Sequence, residues 1–276
     1  MDLYTKVAYA TSKQLTLSYS SSFGISSRFF ARSVQPHIYA IYGLVRVADE
    51  IVDTYKGPDA ATLLDDLESL SYVTIKSGYS TNPIVHAFAL TARMYGIDKK
   101  LIKPFFDSMR MDLDPKKYSP NLYKTYIYGS AEVVGLMCLR VFCEGDDTSY
   151  ASLKDGAAAL GSAYQKVNFL RDMAADYKEL GRLYFPDVTY ETFDDKAKQK
   201  IIVDIERDFD EAVPALRRLP VSSRKATMMS YVYYSELLRK LEKTPASVIK
   251  TTRIRVPTRK KMTLMVGTLA GTRRVK

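Results

Sequence analysis

Four aspartates of the 276-residue chain form two pairs, and each pair has the i, i+4 spacing of one helical face. Asp49 and Asp53 form the first pair, and Asp172 and Asp176 form the second. Like charges at this spacing repel each other, and carboxylates in apolar stretches need a cation. Mg²⁺ prefers oxygen ligands and is usually held by one or two carboxylates together with substrate phosphates. Two facing helices of this kind would hold Mg²⁺ and a diphosphate, whereas either motif alone also fits a solvated helix face.

Further polar residues extend each aspartate pair into a stripe along its helix. At about 100° per residue, Tyr42 and Arg46 lie on the stripe of the first pair. Gln165 and Asn168 lie on the stripe of the second pair, and Arg171 stands beside it. A neighbouring arginine can satisfy one carboxylate pair. Two pairs in similar settings indicate a larger ligand that contains metal ions and an anion.

The composition is that of a folded chain with an anionic partner. The sequence has 41 basic and 31 acidic residues, a net charge of +10, which favours nucleic acid, an acidic membrane surface or a phosphorylated small molecule. Cys138 and Cys143 are predicted to be free, buried thiols in a reducing cytoplasm. The N-terminus lacks the apolar core of a signal peptide, and no apolar run reaches the roughly 18 residues of a membrane helix. We expect a cytoplasmic protein, or one attached peripherally to the inner face of the cell membrane.

Apolar residues recur at three- and four-residue spacing, and alternating strand patterns are scarce. We therefore expect one all-α domain over residues 1–276, built as a helical bundle. Glycines inside the predicted helices indicate close helix packing or, alternatively, bends beside a cavity. These glycines are Gly129, Gly135, Gly156 and Gly161. The predicted helices are 4–21, 36–54, 60–76, 82–95, 98–112, 121–143, 148–178, 192–218, 222–242 and 245–252.

One long motif carries a resemblance to a known family. The segment LGSAYQKVNFLRDMAADYKELGRLYFP, residues 160–186, resembles the signature of the squalene and phytoene synthases. It contains the spaced glycine and glutamine, the N-x-x-R-D-x-x-x-D core and the trailing G-R-x-Y-x-P. YSSSF at 19–23 and YGLVRVADEIVD at 42–53 resemble the opening segment and the first aspartate motif of the same family.

Two further segments extend this resemblance to about residue 261. YIYGSAEVVG at 126–135 resembles the central motif of the family, although Ile127 and Glu132 replace residues that are usually small. RIRVPTRKK at 253–261 resembles the C-terminal motif. The chain is most similar to bacterial phytoene synthases.

The resemblance implies an isoprenoid synthase fold, an all-α bundle around a central cavity, and a set of site residues. Ser21 departs from the family pattern, because many relatives have a lysine there. About two or three Mg²⁺ ions are implied, with ligands from Asp49, Asp53, Asn168, Asp172 and Asp176. The implied diphosphate-binding residues are Ser20, Ser22, Arg46, Arg171 and Arg253. The implied reaction-centre residues are Tyr42, Tyr126, Gln165 and Tyr234.

The implied activity is a prenyltransferase of the 15-cis-phytoene synthase type in carotenoid biosynthesis. Such an enzyme joins two geranylgeranyl diphosphates head to head through a cyclopropylcarbinyl diphosphate, releases two diphosphates and passes its product to a carotenoid desaturase. Dehydrosqualene or squalene synthase, with two farnesyl diphosphates, is the alternative. NADPH is expected not to be required. Ser27 is small where some farnesyl-using relatives carry an aromatic residue, which favours the longer substrate.

A non-catalytic assembly factor on the same fold is an alternative of another class. Such proteins usually lose metal-binding aspartates, and all four are present here.

The C-terminal segment 253–276 has eight basic residues and no acidic one. Its basic residues alternate with apolar ones, a pattern typical of an amphipathic segment on an anionic membrane surface. A solvated tail is the alternative, and nucleic-acid binding is not expected. The apolar residues are Ile254, Val256, Met262, Leu264, Met265, Val266 and Leu269.

Overall fold

The computed structural model describes residues 1–114 and 118–269. For ten of these residues it describes the backbone alone: Ser21, Ser22, Phe23, Glu179, Leu180, Thr258, Met262, Met265, Val266 and Leu269. Ser22, a predicted diphosphate-binding residue, is one of them, so its side chain lies outside the described residues.

The described residues form α-helices and short helical turns, and these ranges contain no strand. The all-α prediction is therefore confirmed. The helices are α1 Leu3–Tyr19, α2 Ser21–Ser26, α3 Gln35–Asp49, α4 Ala60–Ser77, α5 Pro83–Tyr95, α6 Lys99–Leu113, α7 Pro120–Ile127, α8 Val133–Phe142, α9 Asp147–Leu180, α10 Asp195–Arg218, α11 Val221–Lys243, α12 Ala246–Ile249 and α13 Thr258–Leu269.

Two of the predicted helices contain a π-helical turn. The helix predicted over 36–54 consists of α3 followed by a π turn over Glu50–Thr54. The N–H of Tyr55 donates to the carbonyl of Glu50 at 2.9 Å, the i+5 bond of a π-helix. The helix predicted over 121–143 is divided in the same way by a π turn over Tyr128–Glu132. A hydrophobic period close to 3.6 does not reveal such single wide turns.

The first predicted helix ends earlier than residue 21. α1 ends at Tyr19, and Ser20 has an extended backbone with φ −126° and ψ 106°. The N–H of Ser20 donates to the carbonyl of Thr16 at 3.1 Å and closes the last turn. Ser20 therefore lies in the joint between α1 and α2.

Helical glycines allow the closest helix approaches. A Cβ on Gly161 of α9 would lie 2.7 Å from the carbonyl oxygen of Ala131, and one on Gly129 would lie 2.1 Å from that of Pro104. Neither distance is possible for a real side chain, because backbone atoms cannot move aside cheaply. The packing interpretation of these glycines is confirmed at both positions.

The hydrophobic core continues into the C-terminal segment. Ile254, Val256 and Leu264 are 6%, 3% and 2% exposed and belong to the main core cluster. These three side chains therefore do not face a membrane, which corrects part of the predicted amphipathic tail. The spacing of apolar residues in this segment predicts an apolar stripe, but it does not predict whether the protein core or a membrane covers that stripe. The remaining predicted membrane-facing side chains of this segment lie outside the described residues.

Within the described ranges, no helix combines the length and the apolar character that crossing a bilayer requires. Cys138 and Cys143 are free thiols, as predicted, and burial raises their pKa values to about 12 and about 11.

Candidate active site

A cavity of about 1050 Å³ lies between α3, α8, α9, α10 and α11. One end is polar, and Arg46, Arg171, Asp172 and Arg253 line it. The remainder is largely apolar. Among the apolar lining residues are Phe30, Ile38, Leu139, Phe142, Leu153 and Leu216. The cavity therefore has a charged mouth and an apolar interior, which suit elongated, amphipathic ligands.

The charges of the two aspartate pairs act on one another, and Asp172 lines the polar end of the cavity, whereas the other three aspartates are not among its described lining residues. Burial raises the pKa of Asp176 to about 7, and the charges of Asp172 and Asp53 add to this rise. Burial likewise raises the pKa of Asp49 to about 7, with Arg46 opposing the shift and Asp53 adding to it. Because the charge of Asp53, in the π turn after α3, acts on Asp49 of α3 and on Asp176 of α9, the two pairs lie near one another. The predicted juxtaposition of the two motifs is present.

Asp112 and Arg182 belong to this site and were not identified from the sequence. Burial raises the pKa of Asp112, on α6, to about 7, with Arg182 and the Tyr126 hydroxyl opposing the shift and Asp53 adding to it. Arg182 is 6% exposed; its Nη1 lies 2.8 Å from Asp53 Oδ1 and 3.5 Å from Asp112 Oδ1. The trailing G-R-x-Y-x-P motif contains Arg182, but nothing in that motif identifies its two partners.

Asp172 is held by two arginines at the mouth of the cavity. Arg171 Nε donates to Asp172 Oδ1 at 2.8 Å, and Arg253 Nε lies 2.6 Å from the same oxygen. Arg46 pairs with Asp49 at 3.8 Å and lies over the ring of Tyr19, 4.2 Å from its centroid. The three predicted diphosphate-binding arginines therefore reach the polar end of the cavity.

Three of the four predicted reaction-centre residues line the cavity. Tyr42 shares a hydrogen bond with Ser20, another lining residue. The Tyr234 hydroxyl donates to Asn168 Oδ1 at 3.3 Å, and Gln165 Nε2 donates to Ser130 Oγ at 3.4 Å. A second tyrosine, Tyr164, also lines the cavity and stacks on Tyr234 with ring centroids 4.0 Å apart.

Tyr126 lies elsewhere. It is 3% exposed and is not among the described residues that line the cavity. Its hydroxyl donates to Asp112 Oδ2 at 2.8 Å, and its ring stacks on Tyr184 with centroids 5.2 Å apart. Tyr126 therefore lies beside Asp112, and its hydrogen bond holds the Asp112 carboxylate in place. The spacing of residues in the central motif does not predict that Tyr126 pairs with Asp112.

The donor set fits a hard divalent cation. Asp112 Oδ1 is buried and has no hydrogen-bond partner among the described residues, and the neighbouring carboxylates repel one another. Buried carboxylate oxygens with excess negative charge are the kind of donor that Mg²⁺ prefers. Within residues 1–114 and 118–269, no three His, Cys, Asp or Glu side chains form a ready-made metal cluster.

The model of the squalene/phytoene synthase family matches residues 17–260. The chain belongs to this family. The family resemblance given by the motifs is therefore confirmed, and the matched residues include every described lining residue of the cavity except Lys261.

Relatives of this chain carry the name phytoene synthase. The 15-cis-phytoene synthase of Synechococcus elongatus is 30% identical over 295 aligned residues, which cover 96% of this chain and 94% of the relative. The phytoene synthase of Arthrospira platensis is 27% identical, with 92% of this chain and 90% of the relative covered. These relatives confirm the predicted enzyme class, a prenyltransferase of the phytoene synthase type.

Solved structures of the family share the fold. A dehydrosqualene synthase in complex with ligand superposes with a TM-score of 0.82 at 19% identity, covering 97% of both chains. A squalene synthase from Alicyclobacillus acidocaldarius gives a TM-score of 0.76 at 21% identity, covering 87% of this chain and 95% of the other. The predicted isoprenoid synthase fold is confirmed.

Proposed function

We propose that this enzyme joins two geranylgeranyl diphosphates head to head and forms phytoene with release of two diphosphates. The observation that carries the proposal is that α9 bears the Asp172 and Asp176 pair, which lies near the pair of Asp49 and Asp53, and also lines the apolar cavity with Leu153 and Leu160. The polar mouth suits two diphosphates, and the cavity suits two long hydrocarbon chains. The relatives named phytoene synthase support the same reaction.

The residues at the polar end would bind metal and diphosphate. Asp49, Asp53, Asp172 and Asp176 are the residues that would hold Mg²⁺, with Asn168 completing the oxygen set. When bound, Mg²⁺ stabilises the negative charge that develops on a departing diphosphate. The arginines at the mouth would bind the diphosphates, with Ser20 beside them: Arg46, Arg171 and Arg253.

The apolar interior protects the carbocation chemistry. The allylic carbon–oxygen bond of the first substrate breaks, and the double bond of the second substrate attacks the resulting cation. Loss of a proton to the released diphosphate closes the cyclopropane ring; a second ionisation and rearrangement, again with loss of a proton, gives the linear hydrocarbon. Exclusion of water from the cavity prevents capture of either cation, and the cavity walls hold the two chains in register.

The choice of geranylgeranyl diphosphate rests on the relatives and not on Ser27. Ser27 is fully buried, and its Oγ lies 3.1 Å from the Gly24 carbonyl oxygen and 3.2 Å from the Tyr39 hydroxyl. It is not among the described lining residues, whereas Ser26 is. The size of residue 27 therefore does not set the cavity directly. Farnesyl diphosphate, with or without NADPH, remains the alternative to test.

Asp49→Asn and Asp172→Asn test the proposal. Purified protein is incubated with Mg²⁺ and either geranylgeranyl or farnesyl diphosphate, with and without NADPH, and the hydrocarbon is identified. We expect phytoene without NADPH, and a decrease of about 100- to 1000-fold in kcat for each variant.

Asp155→Asn is the matched control, because Asp155 is an exposed aspartate on the same helix. It is expected to keep full activity. No hydrocarbon under any condition, or unchanged function of both site variants in cells, would favour the non-catalytic assembly factor.

We propose two further properties on the same basis. The hydrocarbon product is insoluble in water, so its transfer to a carotenoid desaturase is expected to take place at a membrane. The C-terminal residues beyond Leu264 remain a candidate for peripheral attachment, because they include Arg273, Arg274 and Lys276.

A further inference from the structure

A strongly basic surface lies far from the diphosphate end. It consists of segments 28–33 and 217–225, which contain no acidic residue and which we call the basic face. The N–H of Ala31 donates to the carbonyl of Ser222 at 2.8 Å and joins the two segments. The exposed cations of the basic face are Arg28, Arg32, Arg217, Arg218 and Lys225. Arg28, Arg32 and Lys225 form no ion pair with any described residue.

Two apolar side chains project from among these cations. Phe29 is 39% exposed and Val221 is 74% exposed. The turn that carries Phe29 is fixed, because Gln35 Nε2 donates to the carbonyls of Arg28 and Phe30 at 3.1 and 2.8 Å. Apolar tips surrounded by cations are the pattern of surfaces that insert shallowly into an anionic lipid interface.

The basic face covers the apolar end of the cavity. Arg218 Nη2 donates to Ser152 Oγ at 2.9 Å, near the start of α9. Ser152 precedes Asp172 by 20 residues, a distance of about 30 Å along a helix. Residues of the same two segments and their neighbours line the cavity from this side: Phe30, Leu216 and Leu219. The diphosphate mouth and the basic face are thus at opposite ends of one cavity.

We propose that the basic face docks on an anionic lipid bilayer. The cations complement the negative headgroups, and Phe29 and Val221 enter the headgroup region. The docked orientation places the apolar end of the cavity against the membrane, so the hydrocarbon leaves towards lipid while the diphosphates stay at the aqueous mouth. This last step rests on the proposed function, whereas docking itself does not. Exposed apolar tips favour a bilayer over nucleic acid, which would need polar contacts at these positions.

Vesicle binding of the full chain tests the proposal. Vesicles of phosphatidylcholine with and without phosphatidylglycerol are mixed with the wild type and with the triple variant Arg28→Gln, Arg32→Gln, Lys225→Gln, and bound protein is measured by flotation. We expect wild-type binding only to the anionic vesicles, with loss at high salt. The triple variant should bind about 100-fold more weakly, since each basic residue near the surface contributes roughly fivefold.

A second triple variant controls for net charge: Lys76→Gln, Lys100→Gln, Lys200→Gln, all at exposed positions. It removes the same charge from other surfaces and should bind nearly as tightly as the wild type. Equal weakening of the two variants would overturn the proposal. Phe29→Ser with Val221→Ser should also weaken binding, by about tenfold.

Two other outcomes would assign the binding elsewhere and also overturn the proposal. One is vesicle binding that deletion of residues 270–276 abolishes and the basic-face variant leaves intact. The other is retention on duplex DNA by the wild type with no binding to vesicles. Flotation needs no turnover, so an inactive protein that still binds vesicles would contradict the proposed function alone.

Discussion

Arg182 Nη1 lies 2.8 Å from Asp53 Oδ1, and the two residues are 129 positions apart in the chain. The same guanidinium donates through Nη2 to the backbone carbonyl of Asp112 at 2.8 Å. This one buried side chain therefore fixes the segment just after α9 to the π turn after α3 and to the end of α6. It holds the Asp53 carboxylate at a set position beneath the cluster.

Replacing Arg182 is expected to destabilise the protein strongly. Arg182→Gln leaves the buried Asp112 carboxylate without its cation, and removal of one partner from a buried ion pair costs about 3–5 kcal/mol, whereas the loss of the contact with the partly exposed Asp53 side chain adds little. The free energy of unfolding from urea titration measures the loss. Arg182→Lys should recover part of it, because the charge remains while the fork of donors is lost.

Arg110→Gln is the matched control for this prediction. Arg110 also bridges two carboxylates, those of Asp65 and Glu68, but its side chain is 35% exposed. Because solvent screens such a pair, the expected loss is at most about 1 kcal/mol. Equal losses in the two variants would show that Arg182 is no more than a surface contact.

Tyr126→Phe tests the position of Tyr126 beneath the carboxylates. The variant removes the hydrogen bond to Asp112 Oδ2 and leaves a buried carboxylate oxygen without a donor, at a cost of about 1–3 kcal/mol. Thermal or urea unfolding measures the change. Tyr72→Phe removes a similar bond to Glu68 at a half-buried position and should cost less. A larger loss for Tyr72→Phe would contradict the burial argument.

His37 is expected to make stability depend on pH. Burial lowers the pKa of His37 to about 4, whereas an unfolded histidine titrates near about 6.5. Between these values the unfolded chain binds a proton that the folded chain does not, so stability falls as pH decreases from about 6.5 to about 4. The contribution at the acid end is up to about 3 kcal/mol.

His37→Asn should remove this contribution. An asparagine can keep a polar atom near Tyr9 and Thr91, which lie 3.3 and 3.0 Å from His37 Nδ1. The urea midpoints of the wild type and of the variant are compared at pH values from about 7 down to about 4. Parallel loss of stability in wild type and variant would exclude His37 as the source.

Ala157→Phe is expected to shorten the usable cavity. Ala157 lines the cavity and precedes Asp172 by 15 residues, about 22 Å along α9. A phenyl ring there fills the apolar interior, so turnover of geranylgeranyl diphosphate should fall about tenfold or more relative to farnesyl diphosphate. Competition between the two substrates gives the ratio of kcat/KM values. Ala151→Phe, at an exposed position of the same helix, should leave the ratio unchanged.

Local spacing grouped several residues that the structure also brings to one cavity, and their roles stay predictions. The stripes of Tyr42 to Asp53 and of Gln165 to Asp176 depend only on the period of a helix, and Tyr42, Arg46, Gln165, Asn168 and Asp172 line the cavity. The long signature motif gave the family because its spacing is fixed by that helix and the turn after it. The predicted helix ends were less accurate, because the spacing of apolar residues does not distinguish a π turn, or the extended backbone of Ser20, from α-helix.

Three features depended on tertiary structure. Arg182 meets Asp53 and Asp112 from distant parts of the chain, so no local pattern reveals the contact. Tyr126 was expected at the reaction centre, but its hydroxyl, on α7, donates to Asp112 on α6. Ile254, Val256 and Leu264 look like a membrane-facing stripe, yet they are covered by the core.

The sequence by itself therefore determined the helical class and the family. These follow from short-range periodicity and from motifs of fixed spacing. Only the tertiary structure decided which cations neutralise which carboxylates, which apolar side chains are buried, and that a basic face covers the apolar end of the cavity. Each of these depends on how helices far apart in the chain pack together, and a one-dimensional pattern does not contain that information.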